Sequence, residues 1–407
     1  MHASDWDTLP SVQELGDRYG AIIAMLGWVA IAACLAAACA WASALIGCRP
    51  LRAARGAHWT ERARYAYQAR YCVLVGALTP PVLVAAFALA RYPLGGVTAV
   101  LAVVAAFWAS FPARLYVERR AAARPFRTRT AIRGRVTWWL VMTPHLLLIL
   151  MLTALAPREL GWWSYSLVGV GIAGAAFAAL GGTLRIARLL GLAVPAGPRL
   201  AALVTLAAER AQQPRPPTYE LEMTVANAFA WVQLGALGVT RGGLDVLSDD
   251  ELSSVLAHEL GHLAEPRAVA LLRALGMTAL APLVLAFPLA TERHYLALAL
   301  LLVGMIAALR GVGVLARRME ERADRAAHAA EHDSGVYARA LETLYEANAM
   351  PAVMAGKRRA HPHLYDRLVA AGATPTWARP APPSTMRARV VSIACVVVSM
   401  FVIGLCA

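Results

Sequence analysis

The sequence predicts a mainly α membrane protein, a multi-helix transmembrane bundle carrying a smaller α+β domain, on three observations. Hydrophobic residues make up 59% of the 407 and charged residues only 16%, an apolar share above the roughly one half of soluble domains. The apolar residues are gathered into uninterrupted runs, several near the ~20 residues that cross about 30 Å of hydrocarbon. Between residue 185 and about residue 266 the pattern breaks, and prolines and charges return at ordinary density.

The first run, Ala21 to Gly47, contains no charge. Asp5, Asp7, Glu14 and Asp17 precede it without a basic segment, which predicts a retained anchor instead of a cleavable signal. Val73 to Ala90, Val97 to Ala113, Val136 to Ala156 and Trp162 to Leu184 follow, giving about five spans within residues 1–184, the second expected to kink at Pro80 and Pro81. Arginines crowd the first and third connections, from Arg49 to Arg70 and from Arg114 to Arg135, whereas Arg91 stands alone in the second. By the positive-inside rule the N-terminus lies outside and the arginine-rich loops face the cytoplasm. The net charge of +14 is thus an orienting charge flanking apolar runs, and it points away from a nucleic-acid partner, which needs a basic face on a soluble fold. The six cysteines all lie in or beside apolar runs, so neither a disulfide framework nor a thiolate metal site is indicated.

The second domain, residues 185–373, is interrupted by an apolar helical hairpin at about 268–316, whose two arms, Ala274 to Ala290 and Tyr295 to Leu309, are short for full spans. Polar helical sequence is expected to resume at Arg317. A Pro-rich linker over 374–389 leads to a last transmembrane helix within 390–407.

The chemistry is concentrated in one stretch of this domain. Ser248 opens a helix as N-cap, and Glu251 three residues on completes a capping box. His258 and His262 follow at a spacing of four, which stacks them about 6 Å apart along one helical face, close enough to bind one ion. Glu259 is tilted toward the same ion without coordinating it. This H-E-x-x-H spacing is that of zinc peptidases, and it makes the domain a zincin-like α+β metallopeptidase domain in expectation. A zinc site requires a third protein ligand. Downstream, Glu320 and Asp324 lie one helical turn apart, so Glu320 is the candidate ligand and Asp324 the candidate acceptor that fixes the tautomer of a ligand imidazole. Glu321 is the neighbouring alternative, separated only by spacing. Read without the histidine motif, the same segment is an ordinary charged helix.

Four separated elements resemble one family in order, the HtpX and CAAX-prenyl-endopeptidase type of membrane zinc metallopeptidases. They are Asn227-Ala-Phe-Ala230; Val239-Thr-Arg-Gly-Gly-Leu with Leu247-Ser-Asp-Asp-Glu-Leu and His-Glu-Leu-Gly-His; Glu320-x-x-Ala-Asp324; and His361-Pro-His-Leu-Tyr-Asp-Arg367. The likeness covers about Thr224 to Leu368, and Ala316 departs from it where serine is common. It implies one Zn2+ per chain, Glu259 as general base, and protein or peptide substrates associated with the membrane. It also brings His361 and Arg367 toward the site as catalytic candidates for the oxyanion. Substrate is expected to add as a strand along Asn227, Ala228 and Phe229, a mode that relies on backbone hydrogen bonds. The place implied is a bacterial plasma membrane, with the active site on the cytoplasmic side. Two other readings remain at this point: a sensor-transducer metallopeptidase of the β-lactam-receptor type, weakened because no exported sensor domain follows the last apolar run, and a non-catalytic polytopic protein with a coincidental motif.

Overall fold

The computed structural model describes residues 12–92, 95–122, 127–331, 335–354, 363–370 and 372–407. Three long helices come first, α1 (Val12–Ala53), α2 (Trp59–Arg91) and α3 (Gly95–Ala121), each an apolar run extended by polar turns. Helix α2 continues through Pro80 and Pro81 as one assigned helix. The fourth expected span is not one helix. It is α4 (Thr128–Met142) and α5 (Pro144–Ala154), set at 74° to each other across Thr143. Pro144 has no N–H to give to the preceding turn and its ring disfavours helical backbone at Thr143, so the ladder ends there and restarts in a new direction.

Helices α6 (Trp162–Ala179) and α7 (Gly182–Leu189) lead into the mixed part of the chain. It comprises β1 (Ala193–Pro195), α8 (Pro198–Arg210), β2 (Thr218–Leu221), β3 (Ala228–Trp231), a 3-10 turn at Val232–Leu234, β4 (Ala236–Thr240), α9 (Arg241–Val246) and α10 (Asp249–Leu263). The stretch from Asn227 to Thr240 is a hairpin, because Gly235 takes a left-handed conformation, φ 57°, and reverses the chain. The hairpin arm of the domain is α11 (Arg267–Thr278), a 3-10 segment Ala281–Leu285 and α12 (Ala286–Thr291). Helix α13 (Tyr295–Ala329) then runs 35 residues without interruption, joining the apolar arm to the polar Glu320 segment that were expected as separate pieces. The change from apolar to polar composition does not interrupt the backbone ladder, and Gly311 and Gly313 each cost only about 1 kcal/mol. Helices α14 (Val336–Ala347), α15 (Leu364–Ala370) and α16 (Met386–Cys406) complete the order.

Seven helical segments among the described residues are long and apolar enough to cross a membrane, or eight if the bent α4–α5 pair counts as one span. The chain divides into two compact units. One holds residues 1–49, 68–117 and 385–407 and packs through Trp28, Ala32, Val84, Ala102 and Ile403, and through Cys39, Cys72, Val391 and Cys395. The other holds residues 50–67 and 118–384.

This second unit is layered about a four-stranded sheet of order β1-β2-β4-β3, with β2 and β4 parallel and both outer pairs antiparallel. Side chains alternate across it with period two. Ala228 and Ala230 face a core made with Leu252, Val255, Leu256 and Leu260 of α10, Val204 of α8 and Leu344 of α14. Phe229 and Trp231 face the other side, onto Trp138 and Val141 of α4 and Leu184 and Ala187 of α7. Strand β3 is an edge, and α10 lies directly against it.

Candidate metal centre

Helix α10 is fixed at its start by local chemistry. Ser248 Oγ accepts from Glu251 N at 3.3 Å while Glu251 Oε2 accepts from Ser248 N at 2.9 Å, the full capping box. Arg199 donates to Asp249 Oδ1 at 2.8 Å and to the carbonyls of Leu244 and Leu247 at 2.9 and 3.1 Å, clamping the preceding turn to the helix. Asp249, Asp250 and Glu251 occupy the first turn, where the helix dipole favours negative charge.

From Leu252 to His262 every residue of α10 is buried. Its close partner is α13, and Gly261 permits the approach. A methyl group there would meet Ala323 Cα and Ala326 Cβ at 3.1 Å each. The small Gly261–Ala323 contact brings the second carboxylate segment against the histidines.

The structure brings His258, His262 and Glu320 together, with one ligand atom of each within 4.8 Å of the others. His258 Nε2 lies 3.7 Å from Glu320 Oε2 and His262 Nε2 lies 3.6 Å from Glu320 Oε1. Both separations exceed hydrogen-bond length. They are close to the ~3.3 Å edge of a tetrahedron with ligand bonds near 2.0–2.1 Å. The donor set therefore fits a zinc-sized cation better than it fits direct pairing of its members. Glu259 is buried beside it on α10, 9% exposed, and the Glu320 side chain is 12% exposed.

The outer nitrogens of both imidazoles have partners. His258 Nδ1 lies 2.6 Å from Tyr337 Oη and 3.1 Å from Asp324 Oδ1. Tyr337 Oη in turn donates to Asp324 Oδ1 at 2.7 Å. Arg367 donates to Asp324 through Nε at 2.9 Å and Nη2 at 2.5 Å, and through Nη2 to Tyr337 Oη at 2.9 Å. His262 Nδ1 lies 3.0 Å from Glu265 Oε1. With acceptors at both Nδ1 atoms, each proton sits on Nδ1 and each Nε2 keeps its lone pair toward Glu320. Burial holds the Tyr337 phenol well above its ordinary pKa, so it remains a neutral hydroxyl. Burial pulls Arg367 down, but Tyr337 and Asp324 outweigh it and keep the guanidinium charged.

The placement of the other expected residues differs case by case. Asp324 reaches His258, as its spacing from Glu320 suggests. Arg367, expected to face an oxyanion, directs two of its nitrogens at Asp324 and Tyr337. His361 lies outside the described residues. Asn227 pairs its backbone with Thr240, and Phe229 packs edge-on against Trp138 at 6.2 Å between ring centroids, leaving the backbone of β3, not the Phe229 ring, at the sheet edge. Tyr337 and Glu265 were not anticipated. Glu265, three residues after His262, carried a local signal in its spacing; Tyr337 is 79 residues from His258 and carried none.

Residues 196–392 match the family model described as Peptidase family M48. These residues carry an M48 domain. Proteins named Protease HtpX homolog are similar to it: that of Aquifex aeolicus is 44% identical over 69 residues, 16% of this chain and 23% of the relative. That of Methanothermobacter thermautotrophicus is 44% identical over 69 residues, 16% and 27%. That of a Sulfurihydrogenibium species is 46% identical over 68 residues, 16% and 23%. The chain thus covers about a quarter of the length of these relatives. No solved structure matches it. The M48 domain includes the sheet strands β2 to β4, the α10 histidines, the α13 carboxylates, and both Tyr337 and Arg367.

Proposed function

We propose that the protein is a zinc-dependent membrane endopeptidase that hydrolyses polypeptide substrates laid along β3, its active site on the cytoplasmic side of a bacterial plasma membrane. The observation that carries this reading is the convergence of two imidazole Nε2 atoms and one carboxylate from separate helices at ligand-to-ligand distances. His258, His262 and Glu320 are the residues that would hold the zinc. When bound, the metal supplies Lewis acidity toward a carbonyl and acidifies water near neutral pH.

The remaining work is done by the chain itself. The Glu259 carboxylate takes the proton of the attacking water and delivers it to the leaving amine nitrogen, and its burial keeps that proton from bulk exchange. Tyr337 and Asp324 hold the His258 proton on Nδ1, and Glu265 does the same for His262. Arg367 acts through Asp324 and Tyr337, keeping the carboxylate charged and the phenol oriented; it is a positioning residue in this scheme. His361 is the remaining candidate donor to the oxyanion.

Strand β3 supplies the substrate edge. The paired residues Asn227 and Thr240 exchange hydrogen bonds, so in the antiparallel register Phe229 also bonds inward and Ala228 and Ala230 turn their N–H and C=O outward. Of the expected groove residues, Ala228 therefore offers main chain to a substrate strand, together with Ala230, whereas Asn227 and Phe229 are bonded to β4; main-chain recognition of this kind suits substrates of varied sequence.

Purified protein held in nanodiscs is expected to hydrolyse an unfolded protein substrate, to stop after chelation, and to recover when one equivalent of zinc is returned. A protein that binds no zinc at micromolar concentration would sink the proposal. The orienting partners give a second expectation. Tyr337→Phe and Glu265→Ala should each lower zinc affinity roughly 10–100-fold, the usual effect of removing a hydrogen bond behind a ligand histidine. Competition with a chromophoric chelator measures this, and affinities equal to the parent protein would remove both residues from the scheme.

A further inference from the structure

The edge strand is seated against the ends of helices in the second unit that are candidates to cross the bilayer. Three contacts make the point, all within that unit. Phe229 of β3 packs against Trp138 of α4, which turns by 74° at Thr143 into the apolar α5. Leu234, in the 3-10 turn that directly continues β3, lies over Gly181 at the end of α6; a methyl group on Gly181 would come within 2.7 Å of Leu234 Cδ1. Gly181 adopts φ 79°, the left-handed backbone that ends α6 and starts α7. The same 3-10 turn also touches α11, which leads into the candidate span Ala274–Thr291.

Helix α6 locates the bilayer surface. Its 18 residues rise about 27 Å, close to the hydrocarbon thickness. Trp162 and Trp163 are exposed at its first turn, the aromatic signature of one membrane interface. The other interface therefore falls at Ala179 to Gly181, where Leu234 rests. Arg185 and Arg188 follow at once on α7, both exposed, as expected for side chains at a headgroup layer.

We propose that the protein cuts its substrates at a set distance from the bilayer, in the extended segment directly adjoining a transmembrane helix. This rests on the peptidase reading above and adds a ruler to it. A polypeptide added to the free edge of β3 has one end at the level of Leu234 and the membrane surface, and runs from there along the strand that α10 packs against. Strand β3 is four residues long, about 13 Å at ~3.3 Å per residue. Bonds held along β3 accordingly lie within roughly four residues of the bilayer-side end of the strand. Because recognition along the strand is through main chain, distance and not sequence selects the bond.

The test uses the full-length, zinc-loaded protein in proteoliposomes. One substrate has a single apolar helix followed by a uniform repeat, so that chemically equivalent bonds recur along it; the other is the same repeat without the helix. Mass spectrometry of the products reads the cut sites. Cuts in the anchored substrate are expected to cluster at one distance from its helix, unchanged when the repeat is doubled in length, with turnover roughly tenfold or more above the free repeat, the gain tethering supplies. Leu234→Ala is expected to broaden the cluster while leaving hydrolysis of the free repeat unchanged. Cuts spread evenly along the anchored repeat, or a cluster untouched by Leu234→Ala, would overturn the ruler and leave the peptidase reading intact. No hydrolysis of either substrate would overturn that reading and the ruler with it.

Discussion

Glu259→Gln is expected to retain zinc at the level of the parent protein and to lose about 10²–10⁴ in kcat, the contribution of a positioned general base. The two effects separate because ligand and base are different side chains on one helix. His258 and His262 lie four residues apart and share a face, whereas Glu259 is turned by about 100° from His258. An amide of the same shape fills the same buried position on α10, so the packing between Leu252 and His262 is not disturbed. What is removed is the ability to hold a proton between water and the leaving amine. The measurement pairs metal analysis with single-turnover cleavage of one peptide. Normal turnover with Gln at this position would show that the proton passes through another group. Loss of zinc together with activity would place Glu259 among the ligands.

The second large effect is expected at Glu320. Removing one of three protein ligands should forfeit about a quarter to a third of the ~10–16 kcal/mol typical of a zinc site, a loss of roughly 10² or more in affinity. Glu320→Ala should therefore be isolated without zinc and be inactive. Glu321→Ala, one position on, should behave like the parent protein. Glu321 is exposed on α13, and surface substitutions of this kind change stability by about 0.5 kcal/mol or less. Metal content of the two variants side by side decides the assignment, and equal zinc in both would move the third ligand elsewhere.

The pair also illustrates how differently the parts of this molecule could be read. The apolar runs were legible as spans because a bilayer imposes length and composition on a single helix, with no partner required. Where one misread, at Val136 to Ala156, the cause was local and visible: Pro144 ends a ladder that composition alone would have continued. The join of Tyr295–Leu309 to the Glu320 segment is the opposite case, in which a change in polarity suggested a break that the backbone has no reason to make. The hairpin at Asn227 to Thr240 turned on one left-handed glycine, Gly235.

The sequence by itself determined the capped helix, the stacking of His258 with His262 and the rotation of Glu259 away from them. Those relations follow from 3.6 residues per turn and need nothing beyond the helix. It also pointed to a third ligand downstream, since two imidazoles would not complete a zinc site. Only the tertiary structure brought one of the two neighbouring carboxylates to the histidines. The approach of α10 to α13 over Gly261 and Ala323 turns Glu320 toward the histidines and leaves Glu321 outside. The same packing placed Tyr337 on His258, drew Arg367 onto Asp324, and made β3 an edge anchored at the ends of membrane-entering helices. Contacts between elements tens of residues apart depend on the shapes of the surfaces that meet, and no periodicity within one element encodes the face its neighbour will present.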